Sequence, residues 1–420
     1  MAQAVPARLD AHFEADPPAA ERLKAPSSAT APGGIRLAVY EDLSAIEEDW
    51  RAFEPHADCT VFQSFDWLAT WQRHIGACDG VRPAIVVGRD AAGSIMFLLP
   101  LSVCTAGLAR ELAWLGSELC DYNAPLLAMN FSERFDRARF LSVWTEIIKL
   151  VQANPRLHHD TIILTKMPEM VGAQANPMRY LGGAINPSGA YLTHLTGDWD
   201  TFYTAKRSSA TRRRDRTKRK KLSEIGEVRY VNPAAGPETL RTLETLMEQK
   251  AQAFAHMGVA NLFAKPGHAD FYRALAGDPA TRHLVHVSRL DVGKIPAAVN
   301  LGLTYRDCYY HLLASYDEGD VSRFGPGAAH LHELMREAIG RGLRIFDFTI
   351  GDERYKRDWC DTELKLYDYI AAATWRGMLV AGPLIAAKRV KRWIKQTPLV
   401  WNAFGAARAF VGSLARLFRR

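Results

Sequence analysis

The residues with the clearest chemical possibilities lie between positions 311 and 356. His311, Tyr316 and Asp317 gather near the end of a strand-like run, CYYHLLASYD, after which the chain turns through EGDVSRFGPGAA into a helical pattern. Gly325 and Gly327 would let a ligand approach the backbone closely, and the free N–H groups and dipole of a helix N-terminus favour a phosphate. A pyrophosphate-bearing cofactor is the natural occupant of such a turn. The same residues also suit an ordinary strand-to-helix loop, with Pro326 in the first helical turn. Farther on, Asp352-Glu353-Arg354-Tyr355-Lys356 follows a buried strand. There the Lys356 cation could meet a phosphate or an acyl-carrier surface, or pair with Asp352 or Glu353. Asp121 and Tyr122, in LCDYNAPLL, put a carboxylate after another strand, placed to hold an amine or to cap a turn. His158-His159-Asp160 has the composition of a metal site, yet neighbours in a strand point to opposite faces, so no metal is expected.

The elements that must position these groups occur twice. RPAIVVGRDAAGSIMFLLPLSV is a hairpin pattern followed by a strand in ARELAWLG; HLVHVSRLDVGKIPAAVNLGLTY is a second hairpin, with a turn at Arg306-Asp307 before CYYHLLASY. Each is followed by a helical pattern and a buried strand, DTIILTKM in one case and RIFDFTI in the other. A repeated hairpin, strand, helix, strand order predicts duplication of one α/β unit. In the helix after Gly327, Leu331, Leu334, Met335, Ala338 and Ile339 recur at helical spacing, and Gly340 and Gly342 end it. With 420 residues, 48% of them hydrophobic and 24% charged, the chain is globular and long enough for two ordinary domains. Residues 1–34, rich in Ala and Pro, read as a disordered leader; units are expected at 35–195 and 196–372, with a basic amphipathic tail at 373–420.

Six scattered cysteines form no C-x-x-C pair and read as reduced. The acidic, proline-bearing start is unlike a signal peptide, and the longest apolar run, Met96–Val103, is broken by Pro100 and too short to span a bilayer. A cytoplasmic protein is expected, with any membrane contact peripheral at the inner face. The net charge of +7 is concentrated in two places. Lys206–Lys221 holds ten Lys or Arg in sixteen residues. A nucleic-acid-binding protein is the non-enzymatic alternative this run raises, but it lacks the aromatic residues on which single strands stack, so no specific nucleic acid is expected. Residues 376–420 carry ten basic and no acidic residues, and Val400, Phe404, Ala407, Val411, Leu414 and Phe418 form an apolar stripe. Such a segment can lie on an anionic membrane surface or pack back on the protein as a capping helix.

The strand, glycine turn, helix, strand order resembles the acyl-CoA-binding core of GNAT acyltransferases, whose pyrophosphate loop reads Gln/Arg-x-x-Gly-x-Gly/Ala. Ser322-Arg323-Phe324-Gly325-Pro326-Gly327 keeps Gly-x-Gly, with Ser322 in the Gln/Arg position and Arg323 one place over. TVFQSFDWLATW, LGSELCDYNAPLL, TRRRDRTKRKKL, LFAKPGHADFYRAL, SYDEGDVSRFGPG and FDFTIGDERYKRDW, in that order over residues 36–370, resemble the CelD-like group associated with cellulose and exopolysaccharide synthesis. The architecture also resembles FemAB-type aminoacyltransferases and bacterial ceramide synthases. The resemblance implies an α/β fold of two GNAT-like units, tandem mixed β-sheets flanked by helices, joined near residues 195–225, plus a basic helical tail. It implies acyl-CoA, acetyl or long-chain, held in the second unit by Ser322, Arg323, Gly325, Gly327 and Ala328, with no metal. Direct attack by an amine, less readily a hydroxyl, on the thioester needs a proton acceptor and a donor to the leaving thiolate. His311 and Asp317, followed by Asp347 and Asp352, are the expected bases and Tyr316 the thiolate donor. Asp121, Tyr122, Asp352 and Lys356 are expected to hold the acceptor, an envelope polysaccharide precursor or a lipid amine such as a sphingoid base.

Overall fold

The computed structural model describes residues 26–116 and 118–396. Two mixed sheets with flanking helices make up the α/β fold. The first has ten strands, with a main path running Ser27–Ala31, Ile35–Tyr40, Arg82–Arg89, Ile95–Ala106, Ala109–Trp114, Thr161–Pro168, Leu366–Ala372 and Ala184–Ile185. The second has seven: Val228–Val231, Val285–Val292, Ile295–Tyr305, Cys308–Tyr316, Ile345–Ile350, Ala190–His194 and Thr362–Leu364.

Three boundaries differ from expectation. Ser27–Ala31, assigned to the leader from its composition, is an edge strand paired along its length with Ile35–Tyr40, so the first unit starts earlier. Ala190–His194, expected to close the first unit, runs antiparallel to Ile345–Ile350 in the second sheet. Leu366–Ala372, expected in the second unit, runs antiparallel to Thr161–Pro168 in the first. Each unit thus covers the outer edge of the other's parallel strand. An uncovered edge would present a row of unpaired N–H and C=O groups, so the exchange closes both sheets where they meet.

The units also share a core. One cluster of buried side chains joins Trp50, Phe62 and Trp67 of the first to Phe271, Leu301 and Tyr310 of the second. Trp67 meets Phe271 edge to face at 5.0 Å, and Phe62 meets Tyr310 at 5.8 Å. At the Arg306-Asp307 turn, Arg306 adopts φ +55° and its guanidinium donates to the carbonyls of Glu54 and Ala57, both at 2.8 Å. That left-handed conformation is unusual for a residue with a side chain, and two cross-unit hydrogen bonds offset it.

The helix Pro326–Gly340 buries Leu331, Leu334, Met335 and Ala338 against the second sheet. The helix Trp375–Gln396 packs on the first sheet: Gly377 lies so close to the carbonyl of Asp160 that a Cβ there would come within 1.8 Å, and Lys388 pairs with Asp368 at 2.7 Å. Its other side exposes Trp375, Met378 and Leu379. The stripe Val400–Phe418 lies outside the described residues, as does most of the expected leader. Among the described residues no helix is long and apolar enough to cross a membrane.

Candidate active site

Cys308–Tyr316 and Ile345–Ile350 run parallel but are paired over only three rungs, ending at Tyr310↔Asp347. Beyond that rung they part, while Cys308–Tyr316 stays paired with Ile295–Tyr305 on its other side as far as Tyr316. The inner edge of 311–316 therefore has no strand paired to it beyond that rung. A cavity of about 600 Å³ opens in the gap. His311 and Tyr316 line it from one strand, Gly327 and Ala328 from the helix N-terminus, Thr349 from the other strand, and Asp121 from the first unit. Thr349, a β-branched residue, holds φ +58°, a conformation that persists only where its surroundings impose it. Its N–H is thereby donated to Asp347 Oδ1 at 2.7 Å.

The first unit repeats this geometry. Ala109–Trp114 and Thr161–Pro168 are also parallel over three rungs, and Lys166, just beyond the split, has φ +57°. Here the chain itself fills the gap. Asn123 donates its backbone N–H to Lys166 O and its side-chain amide to Thr165 O, both at 3.1 Å, and Lys166 Nζ donates to Cys120 O at 2.9 Å. The plug carries Asp121 and Tyr122 across to the second unit, where Tyr122 donates to Asp347 Oδ1 at 2.7 Å.

The site holds opposing charges at low exposure. Burial pushes the Asp347 carboxyl up to about 7 against the hydrogen bonds from Tyr122 and Thr349, and the neighbouring Asp121 adds to the rise. Asp121 is itself raised by burial, with Lys166 and Thr349 opposing. Lys356 is buried, its ammonium donating to Ile350 O at 2.9 Å and pairing with Glu353 at 3.0 Å. Lys250, on the helix Pro237–Met257, also lines the cavity; burial lowers its pKa and Glu353 opposes that. Burial, with Lys356 and Lys250 nearby, drives His311 down to about 3.

A smaller cleft of about 130 Å³ adjoins the cavity and shares Ala328, His332 and Asp215 with it. Its walls include Gly325 and, from the basic helix Ser209–Ile225, Arg216, Lys218 and Arg219. Lysine and arginine side chains thus stand beside the helix N-terminus that lines the cavity, the electrostatic setting an anion requires.

Of the residues singled out from sequence, His311, Tyr316, Gly327, Ala328, Asp121 and Lys356 line the cavity, and Gly325 the adjoining cleft. Asp317 does not: its carboxylate accepts the Gly319 N–H at 2.9 Å and serves the turn. Ser322 and Arg323 line neither space; Arg323 stacks on Phe324 at 4.8 Å. Asp352 is exposed and accepts the Gly189 N–H at 3.4 Å, and Tyr122 stands behind the cavity as the partner of Asp347. His311 is at the site but too weakly basic for the base role expected of it. Asp347 and Lys250 are the groups whose importance the sequence understated. A lone acid amid FDFTI signals the first, whereas a lysine on an amphipathic helix gives no signal for the second.

A mixed sheet whose parallel strands split at a helix N-terminus, with a carboxylate facing the gap, suits transfer chemistry on a phosphate-bearing donor. Residues 209–357, within the second unit, match the family model described as an acetyltransferase (GNAT) domain. Among solved structures, the chain is similar in fold to FemX, with TM-score 0.51 and 10% identity over 76% of this chain and 95% of that one. L-PGS from Bacillus licheniformis gives 0.47 and 11% over 80% and 96%, and a tandem GNAT protein from the clavulanic acid biosynthesis pathway 0.44 and 11% over 81% and 99%. No curated protein matches the chain.

Proposed function

We propose that the chain transfers an acyl group from acyl-CoA, bound in the split of the second sheet, to an amine presented from the first unit. The observation that carries this reading is the asymmetry of the two splits: Asn123 and Lys166 plug the first, and the second opens into the cavity. In the open one, the strand edge 311–316 can pair with the amide-bearing arm of CoA, and the N-terminus of Pro326–Gly340, with Arg216 and Lys218 beside it, can hold the phosphates. Asp121, raised by burial, faces the cavity from the acceptor side and takes the proton that the attacking amine gives up, with Asp347 behind it. Asp121→Asn is expected to lower turnover by about 10²-fold with donor affinity intact; undiminished turnover would exclude it from that role.

The acceptor is an amine of a cell-envelope polysaccharide precursor or of a lipid, and one feature favours the lipid. Trp375, Met378 and Leu379 are 68%, 68% and 70% exposed on a helix that also carries Arg376 and Arg389. Apolar and basic groups so combined suit an anionic membrane interface, where a sphingoid or similar amine would be met. Replacing Trp375, Met378 and Leu379 together by Ser should weaken pelleting with phosphatidylglycerol vesicles, and equal pelleting would remove the membrane contact of this helix. The deciding experiment is calorimetric titration of the full chain with acetyl-CoA, palmitoyl-CoA and free CoA. Binding is expected, the tighter acyl chain separating a polysaccharide from a lipid product; no heat with any of the three would overturn the acyl-CoA reading and leave an aminoacyl donor to be tried.

A further inference from the structure

Asn300 lies on Ile295–Tyr305 with no exposed surface and touches four polar groups. Two of them fix which way its amide points. The Gly302 N–H, 3.1 Å from one terminal atom, can only donate; the Leu313 carbonyl, 3.2 Å from the other, can only accept. The oxygen must therefore face Gly302, where it also accepts the Tyr309 hydroxyl at 2.7 Å, and the NH₂ must face Leu313. That NH₂ also lies 3.0 Å from His311 Nε2. Since it can only donate, His311 Nε2 must be a bare lone pair. A neutral imidazole has one N–H, so the hydrogen sits on Nδ1.

The ring is held in place by Phe346 and Phe348, with centroids 5.9 and 6.0 Å away, and it lines the cavity. With Nε2 committed to Asn300, Nδ1–H is the polar group His311 has left to offer there. The low basicity imposed by burial, Lys356 and Lys250 keeps the ring neutral.

We propose that His311 acts in the transfer as a neutral N–H donor to the thioester carbonyl oxygen, with Asn300 as the positioning residue that fixes its tautomer. The proposal rests on acyl-CoA occupying the split. As the amine nitrogen forms its bond to the carbonyl carbon, the C=O π pair moves onto oxygen, which accepts the hydrogen bond from Nδ1–H. When that pair returns, the C–S bond breaks and sulfur leaves with the bonding pair; the amine's proton passes to Asp121 and on to the thiolate. The His311 hydrogen is never transferred. A neutral imidazole in this role needs no solvent reorganisation as charge develops.

Two measurements on the full chain test this. Long-range ¹H–¹⁵N correlation spectra of ¹⁵N-histidine-labelled protein, with His311 assigned by its absence in His311→Phe, should show Nδ1 protonated and Nε2 bare from pH 8 down to 5. An Nε2–H tautomer, or titration near the ordinary imidazole value, would overturn the proposal. In Asn300→Asp, nearly the same size, the carboxylate accepts from Nε2–H and turns a lone pair toward the carbonyl. Its spectrum should show the reversed tautomer, and kcat should fall about 10²-fold, the usual effect of losing one oxyanion donor, with the Kd for acyl-CoA retained. A reversed tautomer with unchanged kcat would sink the idea. Should Asn300→Asp fail to fold, His311→Gln and His311→Phe replace it: the glutamine amide should restore part of the turnover that phenylalanine loses, and equal rates in the two would count against donation. Failure of the wild-type protein to bind any acyl-CoA would sink both this proposal and the reading beneath it. Binding and turnover that persist undiminished in His311→Phe would sink this one alone.

Discussion

Asp347 keeps its proton to unusually high pH because its carboxyl is removed from water beside a second carboxyl, Asp121. An ordinary aspartate in the unfolded chain titrates near about 3.9. Between that pH and about 7 the folded protein holds a proton that the unfolded chain releases, so this site makes stability fall as pH rises through that window. Asp347→Asn keeps the acceptor for Tyr122 and Thr349 but removes the titration. Its thermal midpoint relative to wild type should therefore climb steadily between pH 4.5 and 7.5, and parallel curves would show that Asp347 does not titrate there. Residue types at the site were legible in the sequence, but their states were not. His311 reads as a base in CYYHLLASY because the groups that make it neutral and fix its tautomer, Lys250, Lys356 and Asn300, come from a long helix, the short helix Arg354–Arg357 and a neighbouring strand. Asp317 and Asp347 are equally acidic on paper, and only burial separates a turn cap from a carboxyl with a raised pKa.

Among the elements, the helix Pro326–Gly340 was the most readable, since Leu331, Leu334, Met335 and Ala338 mark one face and that face is buried. Its N-terminal glycines have different reasons. Gly325 sits at φ +66°, where a side chain would be strained, whereas Gly327 has an ordinary conformation and a Cβ there would rest 3.7 Å from the Tyr316 ring. The fold alone therefore accepts alanine at 327. Gly327→Ala should melt as wild type does, and Gly327→Trp should lose acyl-CoA binding while remaining folded; unchanged donor affinity in the tryptophan variant would remove this helix end from the donor site. The strand exchange was not legible. AYLTH and LYDYIAA announce themselves as strands by alternation, but local pattern says nothing about which of two open edges each will join.

For the whole molecule, the shared core makes two units one cooperative body. Trp67 is fully buried at the centre of the cluster that spans both. Trp67→Ala should cost about 3–5 kcal/mol and lower a single unfolding transition. Two separate calorimetric peaks, one of them unmoved, would show that the sheets melt independently. Duplication could be read from the repeated hairpin, strand, helix, strand order, but the boundary expected between residues 195 and 196 follows order along the chain, and that order does not register that two segments trade places.

That trade sets an order in time. Thr161–Pro168 is made early in the chain, yet its neighbour Leu366–Ala372 arrives only after the whole second sheet has been synthesised. Until then the strand waits beside an open edge, with its pairing deferred to one of the longest sequence separations in the molecule. Contacts of that kind are slow to form and leave nascent chains open to mispairing. The first unit, although it comes first in the sequence, is therefore finished last, and a ribosome that stalls inside the second unit leaves behind two incomplete sheets rather than one good domain and a remnant.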